Sequence, residues 1–437
     1  MKPRRRHTGW SALLALLGLA TGLGLMWGVW PASVESKPPP PSGPWPVPKT
    51  PKGRLSGLVV YLSAGHGYKL HRSLIDGHAI SWGQQRIRTN GILEDEWTAN
   101  YVADVLAPAL EAAGATVIAL RERDRHSFGV VADDGTPSFA ATGLEHRVSD
   151  PLALDGSYAR LWPHGGAAWW LRAPEAGHYY VYARWASAPD LDERAVFTVQ
   201  TPSATRDIVV DQTVHGGHWW PLGDDCLFEG DDVMVYLHGS GGPVAADAVR
   251  LGGGNYTIVA PDRRVRDHPF FEVSFPPQVF HLGAPANFDE YATSGEPISD
   301  QRLRPFWASW ASPSGEDAVY LSIHTNAAPR RGRAQGLIVF AGVDNDPPTP
   351  AHPGSVRLAN HVERELVAAV RVNDRKYKTR GVKPGNFSEI SPLRNALPGV
   401  LIELGFHTSR KDARRLQKPQ YQRDATKGII EAFSKWY

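Results

Sequence analysis

Gly399-Val400-Leu401-Ile402-Glu403-Leu404-Gly405-Phe406 is an apolar run with a single carboxylate set into it near the end. The run reads as a buried strand, and a lone buried carboxylate costs on the order of several kcal/mol unless it is paired, neutralised or placed beside a metal. Glu403 therefore needs a partner. Two further apolar runs provide candidates: Leu58-Val59-Val60-Tyr61-Leu62-Ser63 leads into Ala64-Gly65-His66-Gly67, and Val319-Tyr320-Leu321-Ser322-Ile323 leads into His324-Thr325-Asn326. If the three strands lie parallel in one sheet, His66, His324 and Glu403 meet at its carboxyl edge, where open α/β sheets place their sites.

The segments between these strands read as their covering helices. Tyr101, Val105, Leu106, Ala109 and Leu110 make an apolar stripe on a helix from about Trp97 to Ala113, bent at Pro108, with Thr116 to Leu120 as the following parallel strand. Three acids, Glu94, Asp95 and Glu96, precede that helix, where any of them suits the positive end of the helix dipole. Val356, Leu358, Ala359, Val362, Leu366 and Val367 mark a second helix from Ser355 to about Val370, between a strand at Gly336 to Phe340 and the Glu403 strand. Arg380-Gly381-Val382-Lys383 and Asn386 fall in a connecting loop, and Lys411 to Leu416 and Tyr421 to Tyr437 are closing helices. The expected fold class is α/β, a mostly parallel sheet with helices on both faces.

With 437 residues, 42% hydrophobic and 21% charged, the chain has material for two or three domains. A formal charge of +2, with no basic block beyond Lys2 to His7, gives no footprint for nucleic acid. The single cysteine, Cys226, excludes an intramolecular disulfide and any metal site built from several cysteines, and reads as a small buried hydrophobe. Lys2, Arg4, Arg5 and Arg6 precede an uncharged run from Trp10 to Trp30, which has the form of an export segment. Residues 1–30 are thus a signal peptide or a membrane anchor, and both remain open. A proline-rich linker, 31–54, follows as a stiff spacer. The expected location is the periplasm or cell envelope, with residues 10–30 as the inner-membrane anchor if the segment is retained.

Strand-Gly65-His66-Gly67, Gly91-Ile92-Leu93-Glu94 before a long helix, Ser322-Ile323-His324-Thr325-Asn326-Ala327, Arg380-Gly381-Val382-Lys383 and Val400-Leu401-Ile402-Glu403-Leu404-Gly405-Phe406 occur in that order. The set resembles the zinc-dependent N-acetylmuramoyl-L-alanine amidases of the amidase-3 family, over roughly 56–125 and 315–437. The resemblance implies one Zn2+ per chain held by His66, Glu94 and His324, and a zinc-activated water with Glu403 as general base and acid. It implies peptidoglycan as partner and cleavage of the amide bond between N-acetylmuramic acid and L-alanine. Asn326, Arg380 and Asn386 are the candidate substrate contacts. Ser63-Ala64 stands where the family has Asp-Pro, and the loop from His66 to Glu94 is long, so Glu96 and Asp95 stay open as alternatives to Glu94. His71, His78 and His407 read as structural or exposed, with His407 the stand-in ligand.

Between the two catalytic parts, 55–130 and 316–437, lies an insertion. Tyr179 to Trp185, Ala195 to Val199, Ile208 to Gln212 and Val233 to Leu237 are short strands between turns, which implies an antiparallel β-sandwich over 145–254. Tyr182-Ala183-Arg184-Trp185, Val210-Asp211-Gln212, Gly216-Gly217-His218-Trp219, Leu222-Gly223 and Ala245-Ala246-Asp247-Ala248-Val249-Arg250 make it resemble the golvesin C-terminal or xanthan-lyase type accessory domain. That resemblance implies glycan as a partner. Trp162, Trp169, Trp170, Trp219 and Trp220 either stack on sugar rings or fill the core. An aromatic-rich connecting segment, 255–315, leads back towards His324 and is expected to form a wall of the cleft. Two other functions fit the same residues: another zinc amidohydrolase or peptidase of the envelope, and a catalytically silent wall-binding protein.

Overall fold

The computed structural model describes residues 52–72, 80–124, 126, 128–253, 279, 282, 284, 300–312, 317–328, 334–343, 352–393 and 396–437. The expected export segment, the linker up to residue 51, His78, and the aromatics from Phe270 to Phe288 lie outside the described residues.

β1 (Val59–Ala64) enters the expected position, and the stretch beyond His66, expected as a polar loop, carries a hairpin of β2 (Tyr68–Arg72) and β3 (Ile80–Gln84). His71 lies on β2. The first helix begins three residues earlier than its apolar stripe indicates: α1 (Glu94–Tyr101) starts with the three acids and passes through a π turn, Val102–Leu106, into α2 (Ala107–Ala112). The π turn places the chain break in the hydrogen-bond ladder just ahead of Pro108, whose missing N–H it accommodates. β4 (Thr116–Ala119) then pairs parallel with β1.

The insertion contributes β5 (Gly129–Asp133), β6 (Phe139–Ser149), β7 (Ser157–Arg172), β8 (Gly177–Arg184), β9 (Ala195–Gln200), β10 (Thr205–Val210), β11 (Trp220–Leu227), β12 (Asp232–His238), β13 (Val244–Ala246) and β14 (Ala248–Gly252). All pair antiparallel, in one sheet ordered β11-β8-β14-β5 and another ordered β10-β9-β12-β7-β13 with β6 on β7. β5 pairs with β14, so the sandwich starts near 129 rather than at 145. Its turn-rich, half-exposed first strands lack the continuous apolar pattern that marks β8 and β9. Trp169 and Trp220 fill the core between the sheets, Trp219 packs with Tyr180 and Tyr182 on the outer side, and Trp162 is 54% exposed. Cys226 is exposed, not buried, because strand alternation turns it outward, where its Sγ lies 3.4 Å from His178 Nδ1.

The chain returns through α3 (Asp300–Ala311) to β15 (Ala318–Asn326), β16 (Leu337–Gly342), α4 (Pro353–Asn373), β17 (Thr379–Gly385), β18 (Gly399–Phe406), α5 (Arg410–Leu416) and α6 (Pro419–Trp436). Sheet order is β17-β16-β18-β15-β1-β4, parallel throughout except for the β16–β18 pair. Arg380 to Lys383, expected in a loop, are part of β17. Edge position explains the misreading: an edge strand tolerates Gly381, Pro384 and charged residues that a central strand does not.

Strand alternation divides the sheet's side chains between two layers. Val60, Leu62, Val319, Leu321, Val400 and Ile402 pack under the first helix, α4 and α6. Tyr61, Tyr320 and Leu401 face α3 through Leu303, Trp307 and Ala308. The α/β class with helices on both faces is therefore what the structure shows.

Two outcomes follow. Gly428 of α6 sits against α4, where an added Cβ would fall 2.4 Å from Leu366 Cα. Alanine gains about 1 kcal/mol of helix propensity, but forcing two packed helices apart costs about 1–3 kcal/mol. Because the clash is with backbone, Gly428→Ala should lower the chemical-denaturation midpoint; a raised midpoint contradicts this packing. In the sandwich, burial raises the Asp247 pKa to about 7, with Asp133 and Asp134 adding repulsion. A folded pKa above the unfolded value of about 3.9 means stability present at low pH and lost as pH rises through about 7. Thermal unfolding should occur at a lower temperature at pH 8 than at pH 5, and Asp247→Asn should make that fall shallower; an unaltered slope contradicts it.

Candidate metal centre

His66 leaves the end of β1 in the left-handed region, φ 55°, between Gly65 and Gly67. Such a backbone costs on the order of 1–3 kcal/mol for a non-glycine residue and persists only where its surroundings impose it. Here they do. Arg304 of α3, fully buried and paired with Asp300 at 2.6 Å, donates to the carbonyls of Ala64 at 2.5 Å and His66 at 2.6 Å. Gly65 is required by the other imidazole: an added Cβ would fall 2.4 Å from the His324 ring. The two rings stand edge to face with centroids 4.7 Å apart.

His324 and Glu403 are direct register partners on β15 and β18. The parallel alignment expected from the three apolar runs thus brings all three chain segments to one sheet edge. Of the three consecutive acids, Glu94 faces the imidazoles: its Oε2 is 3.5 Å from His66 Nε2 and its Oε1 is 3.4 Å from His324 Nδ1. The backbone N–H of Thr325 donates to Oε1 at 2.8 Å and fixes the carboxylate. Asp95 is committed elsewhere, accepting from the backbone N–H groups of Gly67, Gln85 and Arg86 at 3.0, 3.2 and 2.9 Å. Glu96 pairs with Arg88 at 3.0 Å. Successive helical residues point about 100° apart, so only one of three neighbours can enter the site.

The donor atoms of His66, Glu94 and His324 all lie within 4.8 Å of one another, and among the described residues no other group of three such side chains does so. A tetrahedral ion with N and O ligands at about 2.0–2.1 Å sets its donors about 3.4 Å apart, close to the separations of Glu94 from each ring. The set fits a metal ion.

Glu403 keeps partial exposure along its side chain, yet its Oε2 is sealed from solvent with no hydrogen-bond partner. Burial, joined by Glu94 and Glu389, raises its pKa to about 8 although His324 opposes the rise. Burial also acts to raise Glu94, but His66 and His324 outweigh it and hold its carboxyl below the ordinary range.

The remaining expected residues are placed as follows. Asn326 ends β15 and its carbonyl accepts from His407 N–H. The guanidinium of Arg380 lies over the Phe406 ring, and Asn386 accepts from Ser391 Oγ; neither belongs to the donor cluster. His407 Nδ1 lies 3.8 Å from Glu94 but is engaged by Thr325 Oγ1 at 2.9 Å. Three residues at the site escaped the sequence reading. Arg86 Nη2 is 2.8 Å from His66 Nε2, Gln85 Oε1 is 3.1 Å from His66 Nδ1, and Glu389 Oε2 is 3.1 Å from His324 Nε2. All three come from irregular segments, where no periodicity marks a side chain that turns inward.

Residues 308–435 match the family model described as N-acetylmuramoyl-L-alanine amidase, and residues 161–253 match the Golvesin C-terminal domain. Residues 308–435 are thus similar to the amidase-3 family, and a stretch ahead of them in the chain is similar to the golvesin C-terminal domain. Over 119 residues, 27% of this chain, it is 30% identical to protein YqiI of Bacillus subtilis, spanning 51% of that protein. Over 120 residues it is 29% identical to a cell wall amidase of Bacillus anthracis, spanning 21% of it and 27% of this chain. The chain thus spans about half the length of the first relative and about a fifth of the second. The catalytic domain of CwlV, an N-acetylmuramoyl-L-alanine amidase of Bacillus (Paenibacillus) polymyxa, is 20% identical with a TM-score of 0.25, covering 31% of this chain and 64% of that one.

The three acids should separate experimentally. In competition with a chelator for a divalent ion, Glu94→Ala should weaken binding by more than the roughly 10–100-fold typical of an outer-sphere partner. Glu96→Ala, which loses only a half-exposed ion pair, should bind within a few-fold of wild type. The reverse order would reassign the carboxylate.

Proposed function

We propose that the chain is a zinc-dependent hydrolase that cleaves the amide bond between N-acetylmuramic acid and L-alanine in peptidoglycan. The observation that carries this is the convergence of an N, N, O donor set with an adjacent carboxylate whose Oε2 has no partner. Three protein donors leave an open position, as in catalytic rather than structural zinc sites, and imidazole with carboxylate is a donor set that suits zinc. His66, Glu94 and His324 are the residues that would hold it. The ion's contribution when bound is to polarise the amide carbonyl and to lower the pKa of a water towards neutrality.

The protein's own groups supply the rest. Glu403 takes the proton of the attacking water at Oε2 and delivers it to the departing amide nitrogen, so one carboxylate acts first as base and then as acid. Its pKa near neutrality suits both directions of transfer. Arg304, held by Asp300, fixes the backbone of His66, and Asp95 fixes the loop carrying Gln85 and Arg86. Asn326, Arg380 and Asn386 are proposed contacts for the peptide stem.

The domain match over 161–253 supports glycan as a partner of the sandwich, with the exposed Trp162 on β7 as a stacking surface. A wall substrate requires export, for which residues 1–30 are the proposed signal or anchor, placing the enzyme in the periplasm or cell envelope. Among the described residues no helix is long and apolar enough to cross a membrane.

The full chain incubated with purified peptidoglycan should release stem peptides with free N-terminal alanine, and chelator should stop the release until zinc is restored. Glu403→Gln should reduce the rate by roughly 10²–10⁴-fold, the usual weight of a general base. Equal product release by wild type and Glu403→Gln would exclude this chemistry.

A further inference from the structure

The two histidines use opposite ring nitrogens towards Glu94, and the groups behind them account for that choice. His66 Nε2 is 2.8 Å from Arg86 Nη2, and a guanidinium has donors only, so this nitrogen accepts. Its Nδ1 therefore carries the proton and donates to Gln85 Oε1 at 3.1 Å. The unprotonated Nε2 is also the atom that faces Glu94, so its single lone pair, engaged by Arg86 here, serves a metal once Arg86 withdraws from it. His324 is turned the other way: Nδ1 faces Glu94, and Nε2 lies 3.1 Å from Glu389 Oε2 and 3.1 Å from Ser322 Oγ.

Glu389 is buried, and the second oxygen of its carboxylate, Oε1, accepts from the backbone N–H of His66 at 3.3 Å. One carboxylate thus touches both histidines, one through its ring and the other through its backbone. An ionised carboxylate only accepts, so the Nε2–H of His324 is its natural donor, and a metal held between Nδ1 and Glu94, 3.4 Å apart, would take the Nδ1 lone pair. Histidines that bind metal commonly donate their far N–H to a carboxylate, which fixes tautomer and ring orientation and raises ligand basicity.

Resting on His66, Glu94 and His324 as the metal ligands, we propose that Glu389 is the positioning residue of the centre, holding His324 as the Nε2–H tautomer so that Nδ1 is its ligand atom. Ser322 Oγ shares Nε2 but is neutral and adds less to ring basicity. Neither Glu389 nor its segment belongs to the motifs that mark the site in the sequence.

Two measurements on the full chain test this. Metal-free protein is titrated with zinc against a chromogenic chelator. Wild type should bind one equivalent, and Glu389→Gln, which keeps shape but loses charge, should bind about 10–100-fold more weakly. Ser322→Ala should stay within a few-fold of wild type. Imidazole ¹⁵N spectra of zinc-loaded wild type should show His324 protonated at Nε2 and metallated at Nδ1, a readout that general destabilisation does not produce. Affinity unaltered or tightened in Glu389→Gln, or His324 metallated at Nε2, overturns the positioning role while leaving the ligand set standing. Wild type that takes up no zinc overturns the ligand set and this inference with it.

Discussion

Three carboxylates, Glu94, Glu389 and Glu403, converge on two imidazoles at one sheet edge, and the cost of holding those charges out of water is the constraint on which the site depends. Each uncompensated buried charge costs on the order of several kcal/mol. The fold answers differently for each. Glu94 has a backbone N–H and both imidazoles. Glu389 has a backbone N–H, the His324 ring at 3.1 Å and the His66 ring at 4.0 Å, and although burial works to raise it, His324 and His66 hold its pKa down at about 2. Glu403 has a sealed oxygen without a partner, and its pKa rises instead. Divergent environments sort similar side chains into different roles: two carboxylates stay charged and hold, and the third can exchange a proton near neutral pH.

Around this edge the scaffold removes freedom. Parallel register sets His324 beside Glu403, the Arg304–Asp300 pair clamps the carbonyls of the His66 turn, and Asp95 gathers three backbone N–H groups of the neighbouring loops. The clamp comes from α3, which follows the inserted sandwich in the chain. The insertion therefore interrupts the domain's sequence without separating it from a helix that the site requires.

What could be read from the residues alone follows from what each residue is obliged to do. Central strands are obliged to be apolar on both faces, so β1, β15 and β18, and the chemistry at their ends, stand out. α4 and α6 show their periodicity because one face is buried and the other is not. β17 was hidden because an edge strand accepts glycine, proline and charge. The choice among Glu94, Asp95 and Glu96 was hidden because three acids at a helix start are alike until the helix phase is known. Glu389 was hidden for a different reason: Asn386-Phe387-Ser388-Glu389 has no period, and only the tertiary fold brings its acid to His324. The first sandwich strands, whose residues are largely half-exposed or exposed, were missed on the same principle.

In the proposed centre, His66 Nε2, Glu94 and His324 Nδ1 form one metal-binding set beside Glu403. Anomalous diffraction at the zinc edge, from crystals of the zinc-loaded protein, tests it most directly. One peak should lie within about 2.0–2.2 Å of those three donors, with Glu403 beside it but not bound. A peak on His407, on Glu403, or on any site outside this cluster would contradict the account, as would a crystal with no peak at all.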